Sequence, residues 1–446
     1  MSANEALGLL MLLSMIAVIF VGFPVSFTLL FLSLIVGGIG LGWEQTFNLS
    51  YLQIWGTMKD EIFPAVPLFI FMGYMCEQAG LMERLFVALR HMLAPVRGAL
   101  YLTVLLTATL FGIASGIVGA SVTVLGIMAG PIMIRTGYDA RLSAGAIAAG
   151  GTLGILIPPS VMLIVMGPVM GVPVNLLYAA AFGPGFLLAA MYIVYCMARA
   201  MIDPSLGPPV PVEERITDWW VITREVLVGV VPLTVLTVVT LGVIVAGLAT
   251  STEAAACGAL GAALLALCYG KLTWDSAVKA SISTMVTSSM VVFLAVASTV
   301  FGAVFTKLGS TDLITRAFVS LDWSDVSKFW LIMAVIFLLG WPFEWPVIIF
   351  VFLPIFQPVV EKFSSFGMNK LDLLIWFGTL LAVNLQTAYL SPPVAMSAYY
   401  LKSVVPQWSL KTIYKGMADY MVIQVLCLIA VFLWPDIAMW LVKFFR

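Results

Sequence analysis

Apolar runs about as long as a bilayer is thick follow one another along nearly the whole chain, and they restrict the fold more than any other feature. A run of about 20 apolar residues crosses the hydrocarbon core as a helix, which satisfies its own backbone polar groups there. Of the 446 residues, 62% are hydrophobic and 10% charged, a balance that excludes a soluble multi-domain enzyme. The runs are continuous and lack the period-two alternation of barrel strands. The expected fold is therefore an all-α polytopic membrane protein with roughly 10 to 12 spans and some shorter apolar pieces. The first run, residues 7–21, follows Asn4 and Glu5 instead of a basic leader, and no small-residue cleavage site follows it, so it reads as a retained span.

The net charge is -1, and Lys and Arg are scattered through short connections, so neither a nucleic-acid partner nor a polybasic lipid patch is expected. The richest basic stretch, a loop with Arg84, Arg90 and Arg97, is assigned to the cytoplasmic side by the positive-inside rule. Cys76, Cys196, Cys257, Cys268 and Cys427 are far apart in apolar segments with no C-x-x-C, which supports neither a disulfide framework nor a thiolate metal site. One polar, proline-rich stretch, residues 203–220, cannot cross lipid and divides the chain into two apolar halves. Thr250 with Glu253 three residues later has the form of a capping box; an interfacial cap and an ion ligand are both open to Glu253.

The halves share a weak repeat. Ser121 stands ten residues before Pro131, and Glu344 ten residues before Pro354. Each half then passes a charged turn and an apolar segment ending in a double proline, "GTLGILIPPSVM" or "QTAYLSPPVAM". Proline pairs beside hydroxyls, at matching places in two halves of a membrane protein, indicate discontinuous helices at a repeat interface. Proline removes an N–H and clashes with the previous turn, freeing carbonyls that can coordinate a cation. Each motif reads as the tip of a re-entrant hairpin, near 145–170 and near 373–404; a simple proline kink in a spanning helix is the competing reading.

At the first break the polar candidates are Thr152 and Ser160, with the carbonyls of Gly154, Ile157 and Pro159. At the second they are Asn384, Gln386, Thr387 and Ser391, with the carbonyls of Ala388, Ser391 and Pro393. Oxygen-only sets suit a hard cation such as sodium. Glu344 is an ionisable group inside an apolar run and is a functional candidate by default, against a place in an aromatic belt with Trp341 and Trp345. Ser115 and Ser121, and Ser298 and Thr299 in the second half, are open to ligation or to small-residue packing.

An intramembrane serine hydrolase needs a base, and the sole histidine, His91, lies in the basic stretch. No H-E-x-x-H, Walker loop or pair of intramembrane aspartates is present. A passive channel wants a ring of like groups from several subunits, which two unlike motifs in one chain do not supply.

"GAIAAGGTLGILIPPSVML", "VNLQTAYLSPPVAM" and "STEAAA" resemble segments of the large membrane subunit of tripartite ATP-independent periplasmic (TRAP) transporters, and length and two-half organisation agree over essentially the whole chain. The resemblance implies inverted repeats with two re-entrant helical hairpins in an elevator-type transport domain that slides against a scaffold. It also implies sodium as coupling ion, a small four-helix membrane subunit and a periplasmic substrate-binding protein as partners, and residence in the bacterial inner membrane. Carried over by position, one sodium site falls on Ser115, Ser121 and the carbonyls of Gly154, Ile157 and Pro159. The other falls around Ala388, Ser391 and Pro393. Two departures stand out: many members carry aspartate where Ser121 stands, and aspartate where Glu344 stands.

The expected function is sodium-driven import of a carboxylate-bearing organic acid across the bilayer. Thr152, Ser160, Ser298, Thr299, Asn384 and Thr387 are the candidates to meet the solute, and half-helix N-termini would favour its negative charge. The expected division is scaffold 1–98, first transport repeat 99–200, linker 201–225, scaffold 226–280, second transport repeat 281–410 and a C-terminal span 411–446. A stand-alone symporter, an intramembrane hydrolase and a non-transporting scaffold are the alternatives.

Overall fold

The computed structural model describes residues 2–209 and 218–445, without the side chains of Ala114 and Ser115. Much of the polar linker, 210–217, and the Ser115 hydroxyl therefore lie outside the described residues. Among the described residues the secondary structure is entirely helical.

Three helices come first: α1 (Ala3–Phe20), α2 (Val25–Gly40) and α3 (Trp43–Met58). A first repeat follows as α4 (Ala65–Gln78), α5 (Leu81–Leu93), α6 (Ala99–Ser115), α7 (Val118–Arg135), α8 (Ala140–Leu156), α9 (Val161–Met170) and α10 (Val174–Ile202). Then come α11 (Trp219–Gly229), α12 (Val231–Val245) and α13 (Ser251–Cys268). The second repeat begins with α14 (Trp274–Lys307), α15 (Ser310–Ser320) and α16 (Asp325–Leu339). It continues through α17 (Trp345–Val347), a π turn (Ile348–Phe352) and α18 (Leu353–Val360), which form one apolar segment. α19 (Lys370–Leu385), a 3₁₀ turn (Gln386–Tyr389), α20 (Met396–Val404) and α21 (Leu410–Leu433) complete it, and α22 (Asp436–Phe444) packs on α10.

Eight described helices are long and apolar enough to span a bilayer, or ten if the bent pairs α4–α5 and α8–α9 are each one span, which meets the lower edge of the expected number. The basic stretch at Arg84 and Arg90 is a helix, α5, and not a loop: it buries Leu81, Leu85 and Leu89 and leaves Glu83 and Arg84 exposed. The capping box at Thr250 forms, with the Thr250 N–H donating to the Glu253 carboxylate at 2.8 Å.

The two double prolines break spanning helices instead of turning hairpins. The axes of α8 and α9 bend by 43°. The 29-residue α10 passes the whole unit in order: Val174 meets Gly167 of α9, the Tyr178 hydroxyl donates to the Ser160 carbonyl at 3.4 Å, Gly185 meets Ile157, and Cys196 reaches Tyr420 beside Leu142 of α8. Such an order requires a chain that crosses in one direction. The turn before α21 and α21 itself pass the second unit likewise, from Lys402, which donates to the Trp408 carbonyl, through Ser391 at Met421, to Trp376, which donates to the Val431 carbonyl.

The re-entrant hairpins lie one step earlier in each repeat. α6 runs parallel to α8, with Ala108 against Gly150 and Gly112 against Gly154; α7 runs back, with Val122 against Gly151. The reversal is at Gly116 and Ile117, where Gly116 has φ +60, a conformation open to glycine at little cost. In the second repeat α16 runs parallel to α19. Phe329 stacks on Trp376, Asn384 Nδ2 donates to the Met333 carbonyl at 2.8 Å, and Gly340 meets Ala388. The return through α17 and α18 ends at Glu361, whose carboxylate pairs with Lys370 at 2.9 Å. The expected hairpins near 145–170 and 373–404 are thus corrected to α6–α7 and α16–α18. Proline interrupts either kind of helix, so it marks the break without saying whether the chain reverses.

The repeats exchange elements. α20 packs on α7, with Leu401 and Val404 at Gly126 and Val405 at Gly130, while Gln357 of α18 donates to the Met170 carbonyl of α9 at 3.1 Å. Position 281 falls inside the unbroken 34-residue α14, which packs on α2, α3 and α4. The span that follows 410 packs on the first repeat, with Gly416 of α21 against the backbone of Arg141 and Gly145 in α8.

Candidate functional site

Both hairpin tips and both helix breaks open on one cavity of about 380 Å³. Gly116 to Ala120 and Glu344 to Pro346 bring the two tips; Ile155, Val161 and Met162 bring the first break; Tyr389, Met396 and Tyr400 bring the second. The facing wall comes from outside these units, with Ile70 and Tyr74 on α4 and Thr287, Met290 and Val291 on α14. Tyr74 and Thr287 share a hydrogen bond of 3.0 Å across those two helices. The first residues of α7, α9, α17 and α20, Val118, Val161, Trp345 and Met396, all line the cavity. The starts of α7, α9 and α20, helices of nine residues or more, each present the positive end of a helix dipole, so this arrangement favours an anionic group.

Behind the tips lie the freed carbonyls. Pro158 has no N–H to offer the Gly154 carbonyl, and Pro159 none for Ile155. The Ser160 hydroxyl donates to the Ile155 carbonyl, so Ser160 repairs one of the two breaks. The Gly154 and Pro159 carbonyls both approach Gly116: a methyl there would stand 3.8 and 3.4 Å from them. In the second repeat Pro392 and Pro393 withdraw the amides that would serve the Ala388 and Tyr389 carbonyls, and Gly340 of the tip lies against Ala388. Ala395, just before α20, adopts φ +30, the left-handed region that a non-glycine residue enters at a cost of order 1 kcal/mol. Its buried methyl lies where the second break turns into α20.

The structure separates the residues singled out from sequence. Gly154, Pro159 and Ala388 stand at the two tip-to-break clefts. Ser121 is buried one turn inside α7, whereas Glu344 is the N-cap of α17, so the two are not equivalent despite their matching distances to proline. Ile157 directs its side chain at Gly185. The Ser391 carbonyl accepts from the Ala395 N–H, and the Pro393 carbonyl from the Tyr399 hydroxyl. Glu344 lines the cavity.

Thr152, Ser160, Ser298, Thr299, Asn384 and Thr387 are not among the residues that line this cavity. Thr152 and Thr387 donate to carbonyls in their own turns, at Ala149 and Asn384, and Asn384 holds Met333. Ser298 and Thr299 line a different cavity of about 400 Å³ beside Gln53 and Lys307, where Thr299 meets the Thr57 hydroxyl at 3.0 Å. Sequence reading missed Tyr74, Thr287, Tyr389 and Tyr400. Tyr389 and Tyr400 flank the second double proline, a signal the sequence did carry.

Residues 12–437 match the family described as "Tripartite ATP-independent periplasmic transporter, DctM component". The chain is 28% identical to the C4-dicarboxylate TRAP transporter large permease of Pseudomonas aeruginosa, covering 86% of each chain. It is 27% identical to the sialic acid TRAP transporter large permease of Vibrio cholerae, covering 94% of each, and 26% identical to the ectoine TRAP transporter large permease of Halomonas elongata, covering 97% of this chain and 98% of that one. Among solved structures the fold is similar to the YdaH transporter of Alcanivorax borkumensis, with a TM-score of 0.60 and 16% identity over 88% of this chain and 90% of that one. Two inverted hairpin-and-broken-span repeats around one cavity, and a family match across nearly the whole sequence, make this chain a large permease subunit of the TRAP transporter family, a multi-pass inner-membrane transport protein and not an enzyme.

Proposed function

We propose that this permease imports a small carboxylate-bearing solute, driven by sodium, by an elevator movement of α6–α10 and α16–α21 against α1–α4 and α11–α14. The observation that carries the reading is the cavity, whose one wall is built from both tips and both breaks and whose other wall is built from α4 and α14. A sliding interface between those walls would expose the same site alternately to the two sides. One sodium would sit between Gly116 and the carbonyls of Gly154 and Pro159, with Ser121 and Ser115 nearby, and a second between Gly340 and the carbonyl of Ala388, near Ser391. Oxygen ligands of this kind suit a hard cation. Binding there would tie each tip to its break and close the cavity floor. TRAP large permeases work with a small permease subunit and a periplasmic binding protein, and this chain would receive its solute from such a partner. The relatives are named for a dicarboxylate, a sialic acid and ectoine, which share a carboxylate.

The test is thermal unfolding of the purified full-length chain in detergent while sodium replaces choline at constant ionic strength. A saturable rise is expected, because a ligand bound by the folded state alone stabilises it by mass action. Pro158→Ala restores an N–H to the Gly154 carbonyl and should weaken the response. No sodium response in the native chain defeats the sodium assignment, and an undiminished one in Pro158→Ala defeats the placement of the first site.

A further inference from the structure

We propose that the solute is a compact zwitterion, whose carboxylate is held at the starts of α7, α9 and α20 and whose cationic nitrogen is held by Glu344 and the aromatic rings beside it. The inference rests on reading the cavity as the solute site, and it takes Glu344 as a solute anchor instead of a sodium ligand.

The charge pattern of the lining carries the argument. Glu344 is the sole charged side chain among the described residues that line the cavity, and no Lys, Arg or His is among them. Each carboxylate taken from water needs a partner, so a dianion would need a second set of donors or cations away from the helix starts. Here the positive field comes from helix starts and from the two sodium ions proposed at the clefts, and one carboxylate of the protein, Glu344, opposes it. A second solute carboxylate beside Glu344 would meet it as a like charge, which disfavours dianions.

Glu344 is free for this task. It occupies the N-cap position of α17 but makes no side-chain capping bond there. Tyr389, Tyr400 and Trp345 line the same cavity. Carboxylate plus aromatic faces is the chemistry that recognises ammonium, quaternary ammonium and amidinium groups. The volume, about 380 Å³, falls within the small-molecule range of about 300–1,000 Å³ and limits the solute to a compact one.

The experiment uses the purified full-length chain in detergent at fixed sodium, with proline, glycine betaine and ectoine as zwitterionic probes, succinate as dianion and isethionate as monoanion. All are used at low millimolar concentration, where the general stabilising action of osmolytes is weak. At least one zwitterion should raise the unfolding temperature saturably, and succinate should not. Glu344→Gln should weaken that response about tenfold or more, Glu344→Asp should retain part of it, and Tyr400→Leu should weaken it by removing a ring. An unchanged sodium response in each variant shows that the fold is intact. The proposal is overturned if succinate or isethionate stabilises and no zwitterion does, if the zwitterion response persists in Glu344→Gln, or if no zwitterion acts while sodium does. Loss of every response, sodium included, in the native chain overturns the reading of the cavity as the solute site, and this proposal with it.

Discussion

Replacing Gly154 by alanine tests whether the first hairpin presses on the broken span as closely as the geometry requires. A methyl at Gly154 would stand 2.9 Å from both the Cα and the carbonyl oxygen of Gly112. Carbon contacts are most favourable at about 3.5–4.0 Å, so α6 and α8 must part by something under an ångström. Both partners are backbone, so no side chain can swing aside. Overpacking of this kind costs about 1–3 kcal/mol, against a gain of about 0.5–1 kcal/mol for removing glycine from a helix. Gly302 of α14 is the control, since a methyl there meets nothing within 4 Å and only the gain applies. The two variants should therefore differ by about 1–3 kcal/mol, Gly154→Ala being the less stable. Thermal and denaturant unfolding in the same detergent would measure the difference, and titration with sodium would show whether the apparent affinity falls with it. Equal stability of the two variants, with an unchanged sodium response, would refute both the close approach and its link to the cleft.

Other expectations follow from single contacts. Asn384→Ala removes the amide that holds the Met333 carbonyl and should cost about 1–3 kcal/mol in unfolding free energy, because both groups are buried. Ser160→Ala orphans the Ile155 carbonyl and weakens the start of α9; a loss of about 1–2 kcal/mol should appear in the same assay, together with a weaker sodium response. Ala395→Gly should relieve the left-handed backbone at the second break and leave stability unchanged or raised by about 1 kcal/mol, as read by unfolding temperature. Burial pushes the Glu361 carboxyl up, but Lys370 and Gln357 outweigh it and hold it below its usual 4.5. Its stabilising contribution is thus complete above that value and lost as pH falls through the lower folded value. Acid titration of unfolding temperature should consequently be shallower in Glu361→Gln.

The sequence by itself determined the solvent the chain folds in, since apolar runs of bilayer length leave helices as the available spanning structure, and it marked both breaks, since proline cannot donate wherever it sits. It also carried the family, in the segments around those breaks. What the tertiary structure decided was direction. The double prolines look alike whether the chain reverses or continues, and only the order of contacts along α10 and α21 shows that it continues. The true tips are set by glycine and by packing between helices distant in sequence, as at Gly112 on Gly154 and Gly340 on Ala388, which no local pattern encodes. Polar residues near a break looked equally available in the sequence. Hydrogen bonding within their own turns spends Thr152, Ser160 and Thr387, while the fold brings Glu344, Tyr389, Tyr400, Tyr74 and Thr287 to one cavity from four separate segments.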